Sequence, residues 1–236
     1  MTTDYHVMLV AGNLLSISDE LPDFMEGDVL NSLLFSQLFA NNKAVKFASP
    51  GEWYKADAKA MTQVKWLGID KNFMCFEPAK DSIVTLQELI KKSLRNHVNQ
   101  QQGVQVDSMM VRRGRFPEEE TVHALFRGQV INTVPAETDV PREGVKPAVS
   151  TIALQVGLVE PGPVLYSIFI NFSTSEVIGV DVFSQHFSGE NIVGSISVYF
   201  ARRELDTKAY QKENIRGKIL SALHDKKSEL IFRVPS

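Results

Sequence analysis

The feature that most constrains the fold is a long alternation of apolar residues in the second half of the chain. Residues 152–158 and 164–172 place an apolar side chain at every second position, on either side of a Pro-Gly-Pro turn at 161–163. The same alternation returns over residues 192–200. A period of two is typical of strands that bury one face. The connections are too short for crossovers, so these strands are predicted to be antiparallel.

The first half of the chain has the periodicity of helices. Residues 29–39 carry apolar side chains at helical spacing. Thr85 and Glu88 form a capping box before an apolar stripe over residues 86–98. A last helix is predicted after Asp206. We therefore predict an α+β fold, with a mostly antiparallel sheet of about five to seven strands and helices packed on one side.

The chain is predicted to form one domain over residues 1–236, helix-rich in 1–103 and sheet-rich in 104–236. The proline-containing loop 135–149 is the only candidate boundary. A chain of 236 residues can bury a sizeable core without disulfides or metals. The further strands that the pattern predicts are 5–10, 73–76, 104–111, 122–134, 177–183 and 230–234.

Composition narrows the possible classes of function. The net charge is −3, so no global field attracts polyanions, and nucleic acid is not an expected partner. No apolar run approaches the ~20 residues that a membrane helix requires, so no membrane association is expected. The single cysteine, Cys75, cannot form an internal disulfide and is predicted to be a small buried hydrophobe. A reducing, cytoplasmic location is expected.

Sequence motifs do not indicate a reaction. The chain contains no G-x-G-x-x-G, P-loop, G-x-S-x-G or H-E-x-x-H motif, and no histidines spaced as i, i+3 or i, i+4 partners. We therefore predict no cofactor and no metal. Asp181, Ser184 and His186 are the residue types of a hydrolase triad. Their closeness in sequence favours instead a strand that runs into a polar loop.

One group of polar residues is a candidate binding site. His123 and Arg127 share one parity of the predicted strand 122–134, and Gln155 and Asn171 have outward parity on later strands. Helices arching over this side of the sheet would make the four residues line a polar pocket. A solvated sheet face explains the same pattern and is favoured over the pocket.

A second group is basic. Lys208, Lys212 and Arg216 recur at intervals of four on the predicted last helix, which suggests a possible contact with phosphate. Acidic neighbours, among them Glu204 and Glu213, favour a solvated helix face instead.

These observations support a non-enzymatic binding or assembly protein that acts through a self-associating sheet and exposed loops. Residues 192–200 and 230–234 are the strands predicted to pair in a homo-oligomer, and another protein partner remains possible. One alternative is an enzyme that acts on a small molecule, with a pocket on the polar sheet face that uses His123 and Arg127. The other is a weak nucleic-acid binder that acts through the last helix.

Overall fold

The computed structural model describes residues 4–114, 121–135 and 148–234. Within them the strands are β1 (Tyr5–Val10), β2 (Asn13–Ser18), β3 (Trp66–Phe76), β4 (Ile83–Val84), β5 (Ile131–Val134), β6 (Val149–Glu160), β7 (Val164–Thr174), β8 (Phe187–Ser188), β9 (Ile192–Leu205) and β10 (Ile231–Val234). The α-helices there are α1 (Asp23–Asn41), α2 (Pro50–Gln63), α3 (Leu86–Leu94), α4 (Gln100–Gly114), α5 (Thr121–Val130), α6 (Thr207–Lys212), α7 (Ile215–Leu223) and α8 (Lys226–Leu230).

Most of the strands form one sheet, in the order β10-β1-β2-β6-β7-β9-β3, with β5 paired to the first part of β6. Neighbours are antiparallel except β2 and β6, which run parallel. The β6–β7 hairpin turns at Gly162, whose φ of 91° suits a residue without a side chain. The predicted strands at 152–158, 164–172 and 192–200 are therefore confirmed and extended by the structure.

The two faces of the sheet carry separate hydrophobic cores. On one, the front face, α3, α4 and α5 pack over residues such as Leu154 and Val198. On the other, the back face, α1, α2, α6 and α7 pack over residues such as Ile17. A small third cluster joins Trp53 of α2 to Phe169 of β7.

The α+β class and the mostly antiparallel sheet are confirmed, and the sheet contains eight strands. The helices cover both faces of the sheet, whereas the sequence suggested one. Small or uncharged residues such as Ala153, Gln155 and Ser167 on the back face are compatible with burial, although their alternation with apolar residues resembles that of a solvated face.

The predicted strand 104–111 is wrong, because these residues belong to α4. Val106, Met109 and Met110 are buried at helical spacing. Asn99 Oδ1 accepts from the Gln102 N–H, and Gln102 Oε1 accepts from the Asn99 N–H. The polar run that appeared to end the preceding helix thus caps the next one.

The predicted strand 122–134 is also wrong over most of its length. Residues 121–130 form α5, and only Ile131–Val134 continue as a strand. Phe126 and Val130, four residues apart, are buried against the front-face core. Residues at i and i+4 share a helix face as well as a strand face, so this pattern fits either structure.

Three smaller differences separate the predicted elements from those of the structure. Residues 177–183 form turns and bends in place of the predicted strand, and β2 was not predicted. Asp206 caps a helix as expected, but that helix, α6, ends at Lys212. Asn214, whose φ of 51° is left-handed, then precedes α7. Most of the candidate boundary loop 135–149 lies outside the described residues.

Two glycines form a matched pair for testing the packing. A Cβ on Gly189 would lie 2.0 Å from the Ala79 carbonyl oxygen, whereas one on Gly103 in α4 would meet nothing within 4 Å. We expect Gly189→Ala to lower the free energy of unfolding by about 1–3 kcal/mol. Gly103→Ala should raise it by about 0.5–1 kcal/mol. Urea denaturation measures both, and equal effects would contradict the packing described for Gly189.

Candidate functional site

Strand β3 forms one edge of the sheet. Among the described residues it pairs with β9 and has no neighbour on its other side. It spans 11 residues, whereas β10 at the opposite edge spans 4. Leu67, Ile69 and Phe73 are each at least 50% exposed. An open edge presents unpaired N–H and C=O groups to any strand that approaches it.

Two features limit the regular part of this edge. The pairing of β3 with β9 shifts between Gly68 and Asp70, which leaves Ile69 as the extra residue of a bulge. Pro78 lies just beyond the other end and has no N–H to donate. Residues 71–76 between them are regular strand, and Glu77 separates the end of β3 from Pro78.

A band of buried polar side chains lies between the back face and helices α1 and α2. Asp57 of α2 is 1% exposed and accepts a 2.7 Å hydrogen bond from Ser36 Oγ. Burial raises the pKa of the Asp57 carboxyl, and hydrogen bonds from Ser36 and Gln155 and the charge of Arg203 oppose that rise. These groups together supply the hydrogen bonds and the positive charge that a buried carboxyl requires.

Lys46 brings a second titratable group into this buried layer. Its Nζ donates a 2.8 Å hydrogen bond to the Gln129 carbonyl and lies 4.9 Å from the centroid of the Trp53 ring. Burial lowers the pKa of Lys46 to about 7, and the Asp57 carboxyl opposes that shift. Near neutral pH the ammonium is therefore poised to lose its proton.

A cleft of about 640 Å³ opens between α2 and the sheet beside the β3 edge. Arg203 is buried at this cleft, and its Nη1 donates a 2.9 Å hydrogen bond to Ser167 Oγ. The cleft thus combines aromatic walls, small residues and positive charge. The residues that define it best are Tyr54, Ala58, Lys71, Tyr199, Ala201 and Arg203.

A row of aromatic rings connects the buried layer to the edge strand. Trp53 stacks on Phe169 at 5.4 Å, and Phe169 stacks on Tyr54 at 5.5 Å. The centroid of the Tyr199 ring lies 4.4 Å from that of Tyr54 and 4.5 Å from that of the exposed Phe73. Such contacts hold α2 against β7 and β9 and fix the position of Phe73 at the edge.

The prediction for Cys75 is wrong, because this residue is exposed. It lies near the end of β3, the edge strand, on which most side chains are exposed. Its Sγ is 3.3 Å from Ser195 Oγ and 3.7 Å from Ser197 Oγ. Hydrogen bonding with these two hydroxyls lowers the pKa of the Cys75 thiol.

The four residues of the predicted polar pocket do not meet. Gln155 and Asn171 lie on the back face, as their parity indicated. His123 and Arg127 lie on α5, over the front face, and Arg127 donates 2.6 Å hydrogen bonds to the carbonyls of Ile178 and Gly179. The cleft between α2 and the sheet includes neither His123 nor Arg127.

The basic stripe of the last helix is divided by the helix break. Lys208 and Lys212 lie on α6 and Arg216 lies on α7. Arg216 makes two hydrogen bonds, of 2.7 and 2.5 Å, to the carboxylate of Asp28. This ion pair joins α7 to α1. It also neutralises the positive charge of Arg216, which a contact with phosphate would need.

The triad-like segment forms a turn. The Asp181 carboxylate accepts hydrogen bonds from the N–H groups of Phe183 and Ser184 and from the Ser184 hydroxyl. This is the geometry of an Asx turn, in which Asp181 acts on backbone groups nearby.

A second cleft, of about 460 Å³, lies between α3 and α4 and is lined in part by Arg95 and Val98. Lys91 there forms a 3.1 Å ion pair with Asp107. Within residues 4–114, 121–135 and 148–234 there is no group of three or more His, Cys, Asp or Glu side chains placed to hold a metal ion.

Sequence reasoning missed Asp57, Lys46 and Arg203. A signal for Asp57 was available, because Trp53, Asp57 and Met61 lie four residues apart in a helix and are all buried. That spacing placed a carboxyl on the apolar face of α2. Lys46 lies outside regular structure, and no pattern in the sequence predicts its burial.

Comparison with known proteins finds distant structural likeness only. No family model matches the sequence, and no curated protein sequence matches it. A solved delta-endotoxin structure aligns over 83% of each chain, with 7% identity and a TM-score of 0.43. The structure of the Evf virulence factor aligns over 92% of this chain and 80% of its own, with 11% identity and a TM-score of 0.33.

No helix in the described part of the chain combines the length and the apolar character needed to cross a membrane.

The buried lysine predicts a pH dependence of stability. Its ordinary pKa is 10.5 and its folded pKa is about 7, so between these values the unfolded chain binds one more proton than the folded chain. Stability therefore rises with pH in this window, by about 1.4 kcal/mol per unit from this group. Lys46→Met removes the titration but keeps an unbranched side chain.

Urea denaturation of both proteins at several values between about pH 7 and pH 10 tests this expectation. The curve for the natural chain should rise more steeply than that for Lys46→Met. Parallel curves would show that Lys46 does not titrate in this range.

Proposed function

We propose that this protein is a non-enzymatic assembly protein that associates with copies of itself through the open edge of its sheet. The observation that carries the proposal is β3, an edge strand of 11 residues with three large apolar side chains exposed on it. Natural proteins usually shorten, charge or cover such an edge. β3 has a bulge at Ile69 and the charged residues Asp70 and Lys71, but it is neither short nor covered. Its exposed apolar side chains are typical of a strand that pairs with another strand.

The structure changes which strand is available for this pairing. Residues 192–200, one of the two segments suggested by the sequence, lie within β9 between β7 and β3, so the prediction that they pair outward is wrong. The other segment, 230–234, contains β10, which does lie at an edge but spans four residues. Exposed loops are also part of the proposal, and the two that the sequence offers, 112–120 and 135–149, lie largely outside the described residues.

A cytoplasmic location forms part of the proposal, because an exposed, unpaired thiol at Cys75 stays reduced there. Contact with nucleic acid through Lys208 and Lys212 is the less favoured alternative, since Arg216 is already paired with Asp28.

Charge placed on the edge should abolish self-association. Phe73→Lys and Cys75→Lys introduce, within the uninterrupted part of the strand, the residue that natural edge strands use against pairing. Val177→Lys is the control, because Val177 is 90% exposed in a loop away from the β3–β9 pair. Sedimentation equilibrium should show a concentration-dependent oligomer for the natural chain and the control, and a monomer for the two edge variants.

A natural chain that stays monomeric at the highest concentration it tolerates would overturn the proposal. An oligomer of the same strength in all four proteins would place the contact elsewhere on the molecule.

A second candidate function is small-molecule binding in the cleft between α2 and the sheet. Its volume of about 640 Å³ lies in the range of ligand pockets. Tyr54 and Tyr199 contribute aromatic surface, Arg203 and Lys71 contribute positive charge, and Asp70 contributes a carboxylate. An aromatic carboxylate has the complementary chemistry.

Titration with benzoate and naphthoate tests this candidate. We expect chemical-shift changes at the backbone amides of Lys71 and Tyr199, and their loss in Ala58→Leu, which fills the cleft. Ala124→Leu on the exposed side of α5 is the matched control and should bind as the natural chain does. Spectra unchanged by either compound at its solubility limit would eliminate this candidate.

A further inference from the structure

We propose that two copies of this chain pair their β3 strands antiparallel about a two-fold axis that passes through Met74. Phe73 of each copy then lies opposite Cys75 of the other, and Lys71 lies opposite Glu77. This inference rests on the proposed self-association and specifies its partner and register.

The length of the pairable segment comes from its two ends. The bulge between Gly68 and Asp70 disturbs the ladder at one end, and Pro78 lacks an N–H at the other. Residues 71–77 are what remains, and Met74 is their midpoint. Antiparallel pairing over this segment would form about six to eight hydrogen bonds, since alternate facing pairs exchange two each.

Symmetry restricts the registers that this segment can use. Directly opposite residues in an antiparallel pair point to the same face of the sheet. In β3 the side chain of Phe73 lies on the back face, against Tyr199, and that of Met74 packs towards the front-face core. The two-fold axis must therefore pass through a residue, because an axis between residues would oppose a back-face side chain to a front-face one.

Charge selects among the registers that remain. With the axis at Met74, Lys71 faces Glu77 of the partner subunit twice, once on each side of the axis, and both side chains are exposed. An axis at Phe73 would place Asp70, next to the bulge, within the pair and would leave Lys71 opposite an uncharged residue. An axis at Cys75 would bring Pro78 into the ladder. Only the axis at Met74 includes both charges and excludes both interruptions.

The same register covers exposed apolar surface. Phe73, which is 54% exposed in the single chain, would lie beside Cys75 of the partner subunit. Met74, partly buried against the front-face core, would lie beside Met74 of the partner subunit. The back-face pairs then extend the aromatic row of Tyr54, Tyr199 and Phe73 across the axis.

The native thiol makes the register directly measurable. Opposite Cα atoms in an antiparallel pair lie about 4.5–5.5 Å apart, within the range of a disulfide, whereas diagonal neighbours at about 7–8 Å lie beyond it. Three proteins distinguish the registers by the pattern of crosslinks that they form. An axis at Met74 allows a disulfide in Phe73→Cys alone, an axis at Phe73 allows one in both Phe73→Cys and Lys71→Cys, and an axis at Cys75 allows one in all three proteins, including the natural chain.

Oxidation with copper phenanthroline, followed by non-reducing electrophoresis, compares the three. We expect Phe73→Cys to form the covalent dimer fastest, and the natural chain and Lys71→Cys to remain largely uncrosslinked. Crosslinking of Lys71→Cys or of the natural chain at a rate comparable with that of Phe73→Cys would overturn the register.

Charge reversal provides a test that does not use cysteine. Lys71→Glu and Glu77→Lys each place two like-charge pairs across the axis and should weaken the dimer by about tenfold. The double variant restores both pairs with their signs exchanged and should recover the natural affinity. Additive weakening in the double variant would contradict the proposed pairing of Lys71 with Glu77.

These outcomes separate the register from the proposed function. A dimer that is abolished by Phe73→Lys but fails both register tests would retain self-association through β3 and reject the axis at Met74. A natural chain that is monomeric in sedimentation would reject both.

Discussion

Burial of the central strands on both faces determines the rest of the architecture. Nearly every residue of β6 and β7 is buried, on both parities. A sheet of this kind is stable only when helices cover each side of it. The helical layers use α3, α4 and α5 on the front face and α1, α2, α6 and α7 on the back face. These helices leave the edge of the sheet uncovered. At that edge β3 exposes the large apolar side chains of Leu67, Ile69 and Phe73.

The buried polar layer on the back face has a different role from the apolar cores around it. Asp57 and Lys46 are removed from water, and each loses hydration that its hydrogen bonds replace only in part. Directional bonds of this kind fix how α2 sits on the sheet more narrowly than apolar contacts do. Because α2 also carries Tyr54, its seating decides the shape of the cleft and the position of the aromatic row beside β3.

The sequence predicted the parts of this fold in which one periodicity excludes the other. Alternation over residues 152–172 fits a strand and not a helix, and the hydrogen bond from the Glu88 N–H to Thr85 Oγ1 confirms that Thr85 caps α3. Over residues 104–111 and 122–130 the same side chains satisfy both periods, and packing against the front-face core decided in favour of helices. The candidate site was harder, because β3 becomes an edge through its place in the sheet order, which no local pattern encodes.

The unequal lengths of the two sheet edges have a consequence for stoichiometry. β3 spans 11 residues and β10 spans 4, so only one edge of each subunit among the described strands is long enough for extended pairing. A two-fold contact consumes that edge in both partners at once. Association through β3 would therefore close at a pair of subunits, and the chain would avoid the open-ended growth into fibres that two equivalent edges would allow.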